Sequence, residues 1–325
     1  MEEFNERIAP NNESGDLIEY SIVIPVYNSS QTLNELIEEI KLVFKKLNSA
    51  YEIIMVDDCS NDNCWERMKE LHKKDNNIKI IHLIKNFGQH NATLCGFNHC
   101  NGKYVITIDD DLQHPPEEIL KLIEKIKEGY LVVYGKYKSK NENLLRDFLS
   151  RKFQKIIHEI LLLPDDIFLS SFAIYHSNVV KNMIKIKSSY PFILGLMAKS
   201  APVNKIANVK VLHNERKAGN SNYTIIKYFK YSLNLIINYS SLPLTIIAII
   251  GSLVSFLSLS YGSMIIIKSL TDSSYGIIGW NSLMVAVTFL GGMTLLSLGI
   301  VGEYLRRILT EVSYGQQYAI DEIHL

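Results

Sequence analysis

The chain has 325 residues, with 34 Lys and Arg balanced by 34 Asp and Glu, so its formal net charge is zero. This length is enough for one or two domains with a sizeable core, and the zero net charge argues against bulk binding to nucleic acid. The charges are unevenly spread, because none lies between Lys230 and Lys268 or between Asp272 and Glu303.

Two kinds of pattern alternate after an acidic N-terminal tail. The tail, residues 1–19, has no apolar run of the kind found in signal peptides. Short apolar runs follow, namely YSIVIPVYN, YEIIMVDDCS, IKIIHLIKN, GKYVITIDDD and YLVVYGKY. Helical patterns such as SQTLNELIEEIKLVFKKL and PPEEILKLIEKIKEG separate these runs. This alternation predicts an α/β fold with a mostly parallel sheet and helices on both faces.

Three of the predicted strands end in polar residues. One ends at Pro25–Asn28, the next at Asp57 and Asp58, and another at Asp109–Asp111. In open parallel sheets, ligands bind beyond the carboxyl ends of the strands. Aspartates at a single strand end could simply cap the following helix. Three polar ends in one sheet predict a binding site instead.

The segment TIDDDLQHPPEEI concentrates negative charge where an apolar strand ends. Neighbouring carboxylates repel each other and are costly to bury unless a cation lies between them. Carboxylate and amide oxygens are hard ligands that suit Mg²⁺ or Mn²⁺, and Mg²⁺ commonly completes its shell with substrate phosphates. We therefore expect Asp109, Asp111 and Gln113 to hold Mg²⁺ or Mn²⁺ together with a diphosphate.

The four cysteines form two close pairs, Cys59 with Cys64 and Cys95 with Cys100. Two such pairs could build a zinc site, although the usual zinc motifs have tighter spacing. The interpretation we favour is four reduced, partly buried thiols, which agree with a cytoplasmic location for this part of the chain.

Two long uncharged segments occupy the C-terminal part. Residues 242–267 and 281–302 each supply the ~20 mostly apolar residues that a transmembrane helix needs. Residues 222–241 mix aromatic and aliphatic side chains with lysines, which favours a juxtamembrane amphipathic helix. Basic residues flank both outer ends of this hairpin, so the positive-inside rule places both termini, including the tail at 303–325, in the cytoplasm. The prediction is a multi-pass protein of the cell inner (plasma) membrane.

The motifs SIVIPVYN, VDDCSND, KNFGQHNATLCGF, DDDLQHPPEE and HNERKAGNSNYT follow one another in this order. In this combination the chain resembles family 2 glycosyltransferases, and within them the polyisoprenyl-phosphate glycosyltransferases. That group includes dolichyl-phosphate mannose synthase and bacterial enzymes that load glucose or aminoarabinose onto undecaprenyl phosphate. The resemblance implies a Rossmann-like GT-A domain at residues 20–221, followed by the membrane hairpin of the bacterial branch.

The resemblance also implies roles for individual residues. Those that would contact the nucleotide are Pro25, Tyr27, Asn28, Asp57, Asp58, Lys85, Gln89, Asp109 and Asp110. Those that would hold the acceptor phosphate are Lys136, Arg146, Ser150, Arg216 and Ser221. The residues predicted to be catalytic are Asp111, Arg146 and Arg216. The segments GKY and SSFAIYHS depart from the family pattern, which has SRY in some relatives and Ser-Gly-Phe, respectively.

The implied reaction transfers a sugar from a nucleoside diphosphate, with UDP favoured, to undecaprenyl phosphate in a single inverting step. Because a lipid phosphate is already anionic at neutral pH, no essential catalytic base is predicted. The expected partners are a nucleotide sugar, a polyprenyl phosphate lipid, the membrane and further copies of the chain, as in a tetramer. No nucleic-acid partner is expected.

Other interpretations are open at this point. A processive polysaccharide synthase would share the fold, but the chain's two tryptophans, Trp65 and Trp280, do not lie in a Gln-x-x-Arg-Trp motif. A non-catalytic membrane scaffold could retain a transferase domain, although the intact acids at the strand ends argue against such decay. A dinucleotide oxidoreductase would need Gly-x-Gly-x-x-Gly after the first strand, where PVYNSS has no glycine.

Overall fold

A computed structural model describes residues 18–137, 158, 163–164, 167–188, 191–214, 280–314 and 317–325, with isolated positions between 246 and 271. The chain divides into two compact units. The first comprises Met1–His158, Leu162–Ser221 and Gln316–Leu325, and the second comprises Glu159–Leu161 and Asn222–Gly315.

The first unit alternates strands and helices, as its sequence pattern predicts. Its strands are β1 Tyr20–Val26, β2 Tyr51–Asp57, β3 Ile78–Leu83, β4 Tyr104–Thr107, β5 Val132–Lys136, β6 Ala173–His176, β7 Ile206–Lys210 and β8 Ile320–His324. Its helices are α1 Leu33–Leu47, α2 Cys64–Lys74, α3 Gln89–Asn98, α4 Ile119–Lys127, α5 Ser177–Lys185 and α6 Ile193–Ser200. Short 3-10 turns lie at Pro116–Glu118 and Val203–Lys205.

The described strands form one sheet in the order β7-β5-β6-β4-β1-β2-β3-β8. β1 pairs in parallel with β2 and β4, β2 pairs in parallel with β3, and β5 pairs in parallel with β7. β6 runs antiparallel to both β4 and β5, and β8 runs antiparallel to β3. The mostly parallel α/β sheet predicted from the sequence is confirmed. β8 adds to it a strand from residues that the sequence analysis assigned to a tail.

The centre of the sheet is buried on both faces. All seven residues of β1 are buried, and so are six of the seven residues of β2. Helix α1 covers one face with an apolar stripe that includes Leu33, Ile37, Ile40 and Phe44, spaced as an amphipathic helix requires. The strand ends at one edge of this rigid centre are therefore held in fixed register.

Helix α3 packs very closely against the sheet at Gly96. A Cβ atom at this position would lie 2.4 Å from Cγ1 of Val23 in β1 and 3.4 Å from Cγ2 of Val56 in β2. Glycine at residue 96 thus lets the helix backbone approach the two central strands. Because α3 begins at Gln89, this contact also sets the position of the loop before it.

In the second unit, residues Trp280–Tyr314 form helix α7. Among the residues whose placement the structure describes, no helix is long and apolar enough to cross a membrane. The transmembrane hairpin predicted at 242–267 and 281–302 is therefore not supported. Most of 242–267, and all of the predicted juxtamembrane helix at 222–241, lie outside the described residues.

The close approach at Gly96 generates a stability prediction. Gly96→Ala should lower the free energy of unfolding by about 1–3 kcal/mol, the usual cost of overpacking a core. Combining it with Val23→Ala, which removes the atoms that the new methyl group would meet, should cost less than the two single substitutions added together. Chemical denaturation of the four variants measures the coupling. Strict additivity would show that the contact does not limit the helix position.

Candidate active site

Polar residues from several chain segments meet at one edge of the sheet. The carboxyl ends of β1, β2, β3, β4 and β5 lie at this edge because these strands all point the same way. The antiparallel strand β6 begins there, so the residues just before it join the same group. The three polar strand ends singled out in the sequence are thus brought together.

Asp57, the last residue of β2, is completely buried and engaged at both carboxylate oxygens. Oδ1 accepts hydrogen bonds from the backbone N–H of Ser60, at 3.2 Å, and from the Ser60 hydroxyl. Oδ2 lies 2.6 Å from Nδ1 of His82 in β3. The carboxylate is therefore fixed by its own loop on one side and by the neighbouring strand on the other.

Asp58 binds the loop that follows β3. Its two oxygens accept the backbone N–H groups of Phe87 and Gly88 at 2.7 and 2.8 Å. Burial raises the pKa of Asp58 to about 6, although these two hydrogen bonds oppose the shift. The loop held in this way carries Lys85 and ends at Gln89, the first residue of α3. Both residues are exposed and were predicted to face the nucleotide.

The loop after β1 is held by Asp110. The backbone N–H of Tyr27 donates to Oδ2 of Asp110 at 3.0 Å, and the hydroxyl of Thr32 donates to the Asp110 carbonyl at 2.6 Å. Burial raises the pKa of Asp110 to about 6. Asn28 has a positive φ of 54°, which asparagine tolerates well, and its side-chain oxygen accepts the N–H of Asn61 at 2.8 Å.

Asp109 faces the open side of the edge. Its Oδ1 accepts the side-chain amide of Gln89 at 2.7 Å, and its Oδ2 accepts the hydroxyl of Ser171, which lies just before β6. Asp111 is largely buried, and its Oδ1 accepts the backbone N–H of Gln113 at 3.1 Å. Leu112, between them, has a positive φ of 58°, so the chain turns sharply at this point.

The donor set suits a cation that is shared with a ligand. Within the part of the chain that the structure describes, no group of three His, Cys, Asp or Glu side chains could enclose a metal ion. Mg²⁺ and Mn²⁺ do not need such a group, because one or two carboxylates suffice when substrate phosphates and water complete the shell. Asp109, Asp111 and the side chain of Gln113 fit that requirement.

An aromatic cluster lies beside these acids. The ring of His114 stacks on Phe172 with centroids 5.0 Å apart and meets His213 edge-on at 5.0 Å. The His213 ring stacks on Tyr137 at 4.2 Å. Burial lowers the pKa of His114 to about 4, with the neighbouring His213 adding to the effect, so His114 is neutral at pH 7.

The structure places some of the predicted site residues away from the open edge or outside the described range. Pro25 is buried within β1 and pairs with Val56 of β2. It therefore lies inside the sheet and supports the polar edge without forming part of it. Lys136 is exposed at the end of β5, on the same edge as the acids. The predicted acceptor and catalytic residues Arg146, Ser150, Arg216 and Ser221 lie outside the described residues.

The described chain nevertheless reaches the site at Asn214, two residues before Arg216 in the sequence. The backbone N–H of Asn214 donates to the carbonyl of Gln113 at 2.8 Å. The segment that precedes Arg216 is therefore attached to the acidic turn itself.

Three residues of this site were missed in the sequence. Ser60 joins two loops, His82 holds Asp57, and Ser171 holds Asp109. Ser60 carried a signal, since serine after a strand-ending acid commonly forms a local turn. His82 lies inside an apolar strand and gave none. The four cysteines form no disulfide.

The fold and the acidic edge are those of an α/β protein whose candidate ligand site lies at the carboxyl ends of the parallel strands. Comparison with known protein families identifies the family of this chain. The family described as "Glycosyl transferase family 2" matches residues 21–184. The chain belongs to this family, and it is a glycosyltransferase.

Relatives of similar length support this assignment. The chain is 35% identical to "Uncharacterized glycosyltransferase sll0501" of Synechocystis sp. over 94% of this chain and 96% of the relative. It is 32% identical to "Undecaprenyl-phosphate 4-deoxy-4-formamido-L-arabinose transferase" of Yersinia pestis over 93% of each chain. The predicted resemblance is confirmed.

A solved structure shares the fold. Glucosyl-3-phosphoglycerate synthase from Mycobacterium tuberculosis, crystallised with Mn²⁺, UDP and glucosyl-3-phosphoglycerate, matches with a TM-score of 0.51 at 15% identity. The match covers 68% of this chain and 78% of that chain. At this identity the similarity establishes the GT-A-like fold.

The raised pKa of Asp58 generates a pH prediction. Between its ordinary value of 3.8 and about 6, the folded protein retains a proton that the unfolded chain releases. Stability from this group therefore falls as the pH rises through that window. We expect the free energy of unfolding of wild type, relative to Asp58→Asn, to decrease between pH 4 and pH 7 by at most about 3 kcal/mol. A difference that is constant with pH in denaturation curves would contradict the assigned burial.

Proposed function

We propose that this glycosyltransferase moves a sugar from a nucleoside diphosphate, UDP in the first instance, to the phosphate of a polyprenol such as undecaprenyl phosphate. One observation carries the proposal: the ends of β1, β2 and β4 bring Tyr27, Asp58 and Asp109 to one edge of the sheet, the same edge at which β5 ends in the exposed Lys136. The name of the Yersinia relative supports the lipid acceptor.

The donor would lie across the loops after β1, β2 and β3. Tyr27 is 45% exposed, which leaves its ring available to a base or ribose. Lys85 and Gln89 stand on the loop that Asp58 holds, where a cation and an amide can meet the diphosphate. Asp57 contributes indirectly, because its oxygens are already engaged by Ser60 and His82.

A divalent cation fits beside the diphosphate. Asp109, Asp111 and Gln113 would hold it, and when bound it would neutralise charge that develops on the leaving nucleoside diphosphate. The crystal of the mycobacterial synthase, which contains Mn²⁺ and UDP, is consistent with this arrangement in a protein of similar fold.

The acceptor side requires cations more than a base. A lipid phosphate is already anionic, so it can attack the sugar without losing a proton. Lys136, at the end of β5, is exposed on the acidic edge and can hold an anionic group there. We assign the same role to Arg146, Ser150, Arg216 and Ser221, with proximity supplying much of the rate.

A polyprenyl phosphate acceptor places the reaction at a membrane surface. We therefore propose that the enzyme works at the cytoplasmic face of the plasma membrane and assembles into a homo-oligomer. Its product, a polyprenyl-phosphate sugar, would serve modification of the cell envelope.

Transfer from donor to lipid is tested with radiolabelled nucleotide sugars. Membranes that contain the full chain, supplied with polyprenyl phosphate and Mg²⁺ or Mn²⁺, should move label from a UDP-sugar into the organic phase. Excess EDTA should abolish the transfer, and adding back the metal should restore it. Donor consumption without label in the lipid would point to another acceptor, and undiminished transfer in EDTA would exclude the metal.

Asp111 is the residue to change first. Asp111→Asn keeps the shape of the side chain but removes its charge, and we expect turnover at saturating donor and acceptor to fall by about 100-fold or more. Glu117→Gln is a matched control, since Glu117 follows on the same segment but is an exposed partner of Lys46. Wild-type turnover in Asp111→Asn would remove Asp111 from the mechanism.

A further inference from the structure

Three side chains occupy neighbouring register positions on the outer strands of the sheet. Asp57 of β2 pairs with His82 of β3, and His82 pairs in turn with Glu322 of β8. One end of this row meets the edge that carries the candidate site, and the other end belongs to the last strand in the sheet order.

His82 donates to a carboxylate that cannot turn away. Its Nδ1 lies 2.6 Å from Oδ2 of Asp57, and because a carboxylate accepts hydrogen bonds, Nδ1 carries the proton. Asp57 is 0% exposed, so the loss of this donor would leave a buried carboxylate oxygen without its strongest partner. The imidazole therefore contributes to the orientation of Asp57.

Asp57 passes this orientation to two loops through Ser60. The other carboxylate oxygen accepts both the N–H and the hydroxyl of Ser60, and the Ser60 oxygen accepts the backbone N–H of Asn28 at 2.9 Å. His82 is thereby connected to the loop after β2 through Asp57, and to the loop after β1 through Asp57 and Ser60.

One face of the imidazole packs against Trp65. The two rings stack with centroids 5.0 Å apart and an interplanar angle of 29°. The indole N–H donates to Oε2 of Glu322 at 3.2 Å, and Oε1 of Glu322 lies 2.7 Å from Nε2 of His324. Strand β8 thus fixes Trp65, and Trp65 limits rotation of the His82 ring.

We propose that His82 is a positioning residue for the loops after β1 and β2, and that β8 completes its support through Trp65. The identity of the ligand that these loops would bind rests on the proposed function, which is the binding of a nucleotide sugar. His82 itself touches no substrate in this scheme; it acts through Asp57 and Ser60.

The positioning role is tested first without any ligand. His82→Leu removes the donor, whereas His82→Asn retains an N–H donor near the place of Nδ1. Hydrogen–deuterium exchange of the full chain should be about tenfold faster over residues 27–30 and 57–63 in His82→Leu. His82→Asn should recover most of the protection.

His72→Leu is the matched control. The His72 ring lies 5.5 Å from the His324 ring, but its Nδ1 lies 2.6 Å from the carbonyl of Ile78 rather than near Asp57. A general loss of stability would therefore affect both leucine variants alike. Faster exchange over 27–30 and 57–63 in His82→Leu alone supports positioning. Equal exchange in both variants, or unchanged exchange in His82→Leu, overturns it.

Binding of UDP with Mg²⁺, measured by calorimetry, separates this proposal from the proposed function. We expect the Kd to rise about tenfold in His82→Leu, to stay near wild type in His72→Leu and to rise less in Glu322→Ala, which loosens Trp65. In transfer assays the change should fall on the donor KM rather than on kcat. If wild type binds no nucleotide while His82→Leu still loosens both loops, the donor assignment fails and the positioning role stands. An unchanged Kd in His82→Leu overturns the link to the donor.

Discussion

The organisation of the site depends on how buried and neighbouring carboxylates are provided with hydrogen-bond donors. Asp57, Asp58 and Asp110 each take donors from a different segment, namely a strand, the loop after β3 and the loop after β1. A buried carboxylate without hydrogen-bond donors would strongly destabilise the fold. If one of these segments moved away alone, its aspartate would lose a donor and the free energy of the folded protein would rise. The aspartates at this edge of the sheet therefore hold the surrounding loops in place through hydrogen bonds.

The acids divide into two kinds by their surroundings. Asp58 and Asp110 are occupied with backbone N–H groups, and burial raises the pKa of each to about 6. Asp109 accepts hydrogen bonds from two side chains, the amide of Gln89 and the hydroxyl of Ser171, which can reorient when a cation arrives. The first two carboxylates thus hold the loops around Asp109 and Asp111, the proposed metal ligands.

Much of the fold and of the candidate site could be predicted from the sequence. Apolar strands that alternate with amphipathic helices are compatible with few sheet arrangements, and the carboxyl ends of parallel strands lie at the same edge of a sheet. What could not be predicted depends on register and strand direction. In the sequence, His82 is simply one residue of an apolar strand. Only the pairing of β3 with β2 shows that it lies opposite Asp57. Ser171 reaches Asp109 because β6 runs antiparallel to β4. No local sequence pattern indicates the direction of a strand. The short strand β8, with the sequence IDEIH, has no strict alternation of apolar and polar residues that would have predicted a strand within the apparent tail. The uncharged C-terminal segments led to a predicted membrane hairpin that the described residues do not support.

The place of β8 in the sheet has a consequence for the order of synthesis. Trp65 and Glu322, which meet across the outer strands, are 257 residues apart along the chain. While the ribosome makes the intervening residues, β3 presents an unpaired backbone edge, the kind of surface that recruits strands from other chains. Pairing across so long a separation is also slow to form. A nascent chain would therefore remain vulnerable to misassembly until β8 emerges and pairs with that edge.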